Sequence, residues 1–86
     1  MTIWKYKLHA SGVTVLNMPE GAKVLSVAEQ HGEAVLWALV SAGRVTEERK
    51  FRTCLTGGDA PNSVMDFMGT ALLDGGNYVV HVFEVK

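Results

Sequence analysis

Apolar and polar residues alternate with period two along most of the chain, the pattern of strands with one buried face. Trp4, Tyr6 and Leu8 alternate with Lys5, Lys7 and His9, which predicts a first strand. Ala10-Ser11-Gly12 breaks it, and Val13–Met18 is a second, rich in β-branched residues. Pro19-Glu20-Gly21-Ala22 reads as a turn. Lys23–Gln30 is a third strand, with Leu25 and Val27 expected on one face and Val24 and Ala28 on the other. After the tight link His31-Gly32-Glu33 comes Ala34–Val40, apolar on both faces and therefore expected at the centre. These two strands form the clearest hairpin in the chain, and Trp37 is expected in the core.

Ser41–Glu48 reads as a polar loop. Arg49–Leu55 is a fifth strand, with Phe51, Thr53 and Leu55 opposite Lys50, Arg52 and Cys54. Thr56-Gly57-Gly58-Asp59-Ala60-Pro61-Asn62 is the richest loop signal. Val64–Leu73 suits a sixth strand, with Gly69 marking a bulge or a close backbone approach; a helical turn over Ser63–Phe67 is the other reading of its start. Asp74-Gly75-Gly76-Asn77 is a turn before a last strand, Tyr78–Val85. About seven short strands and no long helix predict an all-β domain, a compact antiparallel β-sandwich or small barrel.

Length makes this one domain over residues 1–86. A 48% hydrophobic content with 20% charged residues suits a globular chain and argues against disorder. A net charge of −1 gives no strong nucleic-acid signal. The single cysteine, Cys54, excludes an internal disulfide and a four-cysteine zinc site, and fits a reducing cytoplasm. Apolar runs are too short to span a membrane, and Met1–Lys5 has no signal-peptide core. A domain this small gains stability by self-association, so a homo-oligomer is expected.

Candidate chemistry is sparse. Thr56-Gly57-Gly58 could bring backbone N–H groups close to an anion, although no P-loop follows; double glycine is more commonly a plain turn. Arg49, Lys50 and Arg52 precede it, and Lys5 and Lys7 share a face of the first strand. Those cations would form an anion site if the faces converge, and are otherwise a solvated surface. His81 sits inside the last strand, where a structural histidine is the plainer role. Trp4 and Tyr6 could stack on a base or line an interface, with core packing as the plainer role. His9, His31 and His81 show no metal-ligand spacing, and the aspartates show no catalytic pairing. No cofactor and no enzymatic activity are expected.

Five blocks, Ile3-Trp4-Lys5-Tyr6, Met18–Leu25, Leu36–Val40, Phe51-Arg52 before Thr56-Gly57-Gly58, and Val80–Glu84, resemble a family of small bacteriophage and prophage proteins of unknown function. The resemblance implies a phage product in the bacterial cytoplasm and brings no activity with it. Two functions are expected from it. The first is a host-defence inhibitor that sequesters a small nucleotide messenger through Trp4, Lys5, Tyr6, Arg49, Arg52, Thr56, Gly57, Gly58 and His81, in a pocket formed between subunits. The alternative is a protein-interaction module that blocks a host protein or joins phage assembly.

Overall fold

Seven strands build two antiparallel sheets in the computed structural model, which describes residues 1–60 and 65–86. They are β1 (Thr2–Lys7), β2 (Gly12–Pro19), β3 (Lys23–Gln30), β4 (Glu33–Val40), β5 (Thr46–Leu55), β6 (Met65–Leu73) and β7 (Tyr78–Val85). One sheet has the order β1-β4-β3, the other β2-β5-β7-β6. The two pack face to face as a sandwich and do not close into a barrel.

The β3–β4 hairpin forms as the sequence predicts. Gln30 pairs with Glu33, leaving His31 and Gly32 as a two-residue loop with φ of 53° and 83°. Two positive φ values are the signature of the hairpin turn that matches strand twist. β4 is the middle strand of its sheet. Its inward residues Ala34, Leu36, Ala38 and Val40 are all buried in the main core cluster. Phe51, Val80, Val82, Met18, Ala71 and Leu73 meet them from the other sheet.

Gly69 has two effects at once. The β6–β7 register shifts between Phe67 and Gly69, and a Cβ at Gly69 would stand 3.0 Å from the Val27 Cβ of β3. Absence of a side chain thus lets β6 approach β3, where the two sheets come closest.

The structure corrects three sequence readings and decides a fourth in favour of strand. β5 begins at Thr46, so the Ser41–Glu48 loop is shorter than expected. Its first half pairs with β2, Pro19 opposite Thr46, and this long ladder draws polar residues into strand. In β3 a register shift at Leu25 breaks the alternation. Val24 and Val27 both face inward and Leu25 is exposed, against the expected pairing of Leu25 with Val27. Trp37 lies on the outer side of β4, half-buried, because Leu36 and Ala38 take the inward positions. Finally, Met65–Leu73 is strand, as the sixth-strand reading expects, and Met65–Phe67 is not a helical turn; Ser63 and Val64 lie outside the described residues.

Candidate functional site

The nine residues proposed as a ligand site fall on separate surfaces. Trp4 and Tyr6 pair with Ala38 and Leu36 and face inward from edge strand β1. Lys5 projects from the outer side of the same sheet, where its Nζ donates to Gln30 Oε1 across β4. Lys7 projects there too, 3.5 Å from Glu33. Arg52 stands on the outer side of the other sheet, with Lys50. The expected convergence of Lys5 and Lys7 with Lys50 and Arg52 therefore fails: the two pairs point away from opposite faces of the sandwich.

Arg49 points inward, and its three guanidinium nitrogens are all engaged. Nε donates to Glu84 Oε2 at 2.6 Å, Nη2 to Glu84 Oε1 at 2.7 Å, and Nη1 to the Ala22 carbonyl. The guanidinium also sits 5.8 Å from the centre of the Phe51 ring. The hydrogen bonds to Glu84 hold its pKa above the usual arginine value, against the opposing effect of burial. This fork is spent on the protein itself and presents no free edge to a phosphate.

Tyr6 lies within the field of that cation. Its hydroxyl is buried and has no hydrogen-bond partner. Burial pushes the phenol above its ordinary 10.0, while the Arg49 charge pulls the other way. A folded-state value above the unfolded one favours the protonated phenol in the fold. That contribution is whole below pH 10 and is lost as pH rises through the folded value. Tyr6→Phe is expected to change stability by no more than about 1 kcal/mol at pH 7, because no bond is lost. It should also flatten the fall in melting temperature above pH 10. Thermal melts across pH 7–11 check this; an unchanged alkaline fall would show that Tyr6 does not drive it.

The glycine loop is a turn closed on itself. Gly57 has φ of 85°, and the Gly58 N–H donates to the Leu55 carbonyl at 3.0 Å. The Thr56 N–H donates to the Val79 carbonyl. Two of the three N–H groups that would cradle an anion are thereby consumed.

Arg52, Thr56 and His81 do share one surface, the outer face of the four-stranded sheet. His81 stands between Thr56 Oγ1, 2.7 Å from Nε2, and Thr70 Oγ1, 3.1 Å from Nδ1. The Thr56 hydroxyl also reaches the Val79 carbonyl at 3.3 Å. A hydroxyl has one proton, so the network assigns it to Val79; Nε2–H then donates to Thr56, and Thr70 donates to Nδ1. Both ring nitrogens of a neutral imidazole are engaged. Cys54 lies directly across the ladder from His81, buried, with no bond to it. A base whose nitrogens are occupied beside a buried thiol is poorly arranged for nucleophilic catalysis. Among the described residues no three metal-ligating side chains cluster.

Around this polar centre the same face carries apolar side chains interleaved with Lys50 and Arg52. Val13, Arg52, Phe83 and Phe67 form one cross-strand row. The Phe67 and Phe83 rings lie 5.5 Å apart and tilted by 59°. Val15 beside Lys50 and Leu72 beside Val79 extend it. Val13, Val15, Phe67 and Leu72 are each about half exposed, at 47, 50, 58 and 59%.

A family model described as a domain of unknown function, DUF7352, matches residues 1–86. The chain belongs to this family. DUF7352 membership fits the unknown-function part of the expected resemblance, and the description states neither an activity nor a source. No curated protein matches the chain, and no solved structure does. The reading of the site thus rests on its own geometry.

That geometry includes features the sequence reading passed over. An acidic Glu84 in step with Val80 and Val82 announced a buried charge needing a partner. Phe67 and Phe83 sit in step with Arg52 and His81 across the strands, which places an aromatic pair on the outer face. A cleft of about 230 Å3 lined by Ala10, Ser11, Leu55, Leu73, Tyr78 and Val80 had no local signal, because it is assembled from four chain segments.

Proposed function

We propose that this protein is a non-enzymatic binding module that captures a protein partner on the outer face of its four-stranded sheet. The exposed apolar side chains Val13, Val15, Phe67 and Leu72 on this face, with half-buried Phe83 against Phe67, carry this reading. Apolar patches of this kind on a soluble domain mark interaction surfaces. The closed His81 network and the buried Cys54 support a binder over a catalyst. The block resemblance supports a phage product acting in the bacterial cytoplasm, with a host or virion protein as partner.

The expected result is a stoichiometric protein captured from bacteria, whose binding is lost with Phe67→Lys. Loss of an anchoring aromatic costs about 2 kcal/mol or more, roughly 30-fold in affinity. Melting temperature controls for the lost Phe67–Phe83 contact. Capture that survives both Phe67→Lys and Leu72→Lys would overturn the outer face as the binding surface.

Sequestration of a small nucleotide messenger is the second reading. It draws on Arg52, Thr56 and His81 sharing that face, and it requires a homo-oligomer to complete a pocket. Native mass spectrometry with cyclic dinucleotides, cyclic oligonucleotides and ADP-ribose derivatives separates the two. A ligand-free species across the panel is expected. An oligomer holding one unmodified nucleotide per site would replace the protein-partner reading.

A further inference from the structure

The chain has eight lysines and arginines. Four of them are paired with carboxylates: Lys7 with Glu33, Arg44 with Glu20, Arg49 with Glu84 and Lys86 with Asp66. Lys5 donates to Gln30. Lys23, Lys50 and Arg52 have no such partner among the described residues, and residues 61–64 hold no carboxylate in their sequence. Two of these three, Lys50 and Arg52, share the outer face of the four-stranded sheet. Among the described strands one carboxylate falls on that face, Glu48 opposite Asn17, and it forms an ion pair with neither cation. A chain of net charge −1 thus holds a local positive excess on the face that carries Val13, Val15, Phe67 and Leu72.

Arg52 lies inside the apolar surface and not at its rim. It belongs to β5, an interior strand of the sheet, with Val13 on one side and Phe83 and then Phe67 on the other. It is already partly buried. A partner that covers both Val13 and the Phe67–Phe83 pair must therefore cover the guanidinium as well. A charge taken out of water without a counter-ion is strongly unfavourable. A carboxylate opposite it replaces the lost water hydrogen bonds, because its two oxygens match the guanidinium fork. The row therefore discriminates against a wholly apolar partner and in favour of an acidic one.

We propose that the protein partner presents an acidic segment to this face, with an Asp or Glu carboxylate seated on Arg52 and a neighbouring apolar side chain seated on the Phe67–Phe83 pair. Adjacent strands are about 4.8 Å apart, so the two contacts stand about 5–10 Å from each other. Residues i and i+2 of an extended segment span that distance, as do i and i+4 of a helix. Lys50, exposed on the same strand, attracts the same segment at longer range. This inference rests on the protein-partner reading and specifies the partner's chemistry.

The probe is a displayed library of random twelve-residue peptides, selected against the whole chain, with affinities of the selected peptides measured by calorimetry. They are expected to be enriched in Asp and Glu near one large apolar residue. Arg52→Gln should weaken their binding about 30-fold or more. Phe67→Ala should weaken it about tenfold, and Lys50→Gln about threefold. Lys23→Gln removes the same charge from the other sheet and should change binding by less than about twofold. Neutral peptides that lose binding with Phe67→Ala and keep it with Arg52→Gln would overturn the acidic segment and leave the outer face as the protein-binding surface. Peptides indifferent to both substitutions would overturn the inference and the outer-face reading together. Acidic peptides weakened equally by Arg52→Gln and Lys23→Gln would respond to overall charge alone, and that too overturns the inference. So does an empty selection. Single-stranded oligo-dT bound through Arg52, with no peptide selected, would assign the face to nucleic acid and overturn both.

Discussion

Phe51→Ala is expected to lower unfolding free energy by about 3–5 kcal/mol, as truncation of a fully buried aromatic does. Phe51 is 0% exposed, the largest fully buried side chain, and stands between Thr14 of β2 and Glu84 of β7. Its ring meets the inward face of β4 and also supports the Arg49 guanidinium, so truncation removes packing and a cation–π contact together. An ordinary domain of this size holds only about 4–13 kcal/mol in total. The variant should therefore be substantially unfolded well below the wild-type midpoint. Urea titration followed by Trp4 and Trp37 fluorescence measures the loss. Phe67→Ala is the matched control: its ring is more than half exposed, and its contact with Phe83 is worth about 0.5–1.5 kcal/mol. Equal losses at the two positions would mean that the sandwich interior is not organised around Phe51.

The contrast between these two phenylalanines shows what the sequence makes visible. Period-two alternation places Phe51 with Thr53 and opposite Lys50 and Arg52, and the structure keeps those faces. The hairpin at His31-Gly32, the central position of β4 and the close approach at Gly69 were legible for the same reason: each is set by a few neighbouring residues. Faces fail where the ladder slips. The register shift at Leu25 inverts half of β3, and no local signal marks it. The candidate site fared worse than the fold, because its cations were grouped by proximity in sequence. Lys5 and Arg52 belong to opposite outer faces, and only strand order reveals that. Arg49 was grouped with Lys50 and Arg52 although it differs from both in phase, one residue apart from Lys50 and three from Arg52. In step with Phe51 and Thr53 it had to point inward, and an inward arginine requires an acid. Glu84, inward on the last strand, was that acid.

Breaking this pair should have the second largest effect. Arg49 and Glu84 are only 16 and 15% exposed and meet through two hydrogen bonds. Glu84→Ala leaves the guanidinium with the Ala22 carbonyl, the Phe51 ring and the weaker field of Glu47 in place of its two-oxygen partner. Removing one member of a buried pair costs about 3–5 kcal/mol. The residual exposure puts the expected loss near the lower figure. Arg49→Met alone should cost a similar amount, by stranding the carboxylate. Arg49→Met combined with Glu84→Leu removes both charges and fills similar volume, and should return to within about 1–2 kcal/mol of the wild type. The double-mutant cycle therefore carries a large coupling, and the same cycle decides what Arg49 is for. A phosphate clamp would lose ligand affinity while stability held. A structural arginine loses stability in the single variants and recovers it in the double one. Single-variant losses below about 1 kcal/mol would place the pair with ordinary surface ion pairs, and Arg49 would again be free to serve a ligand.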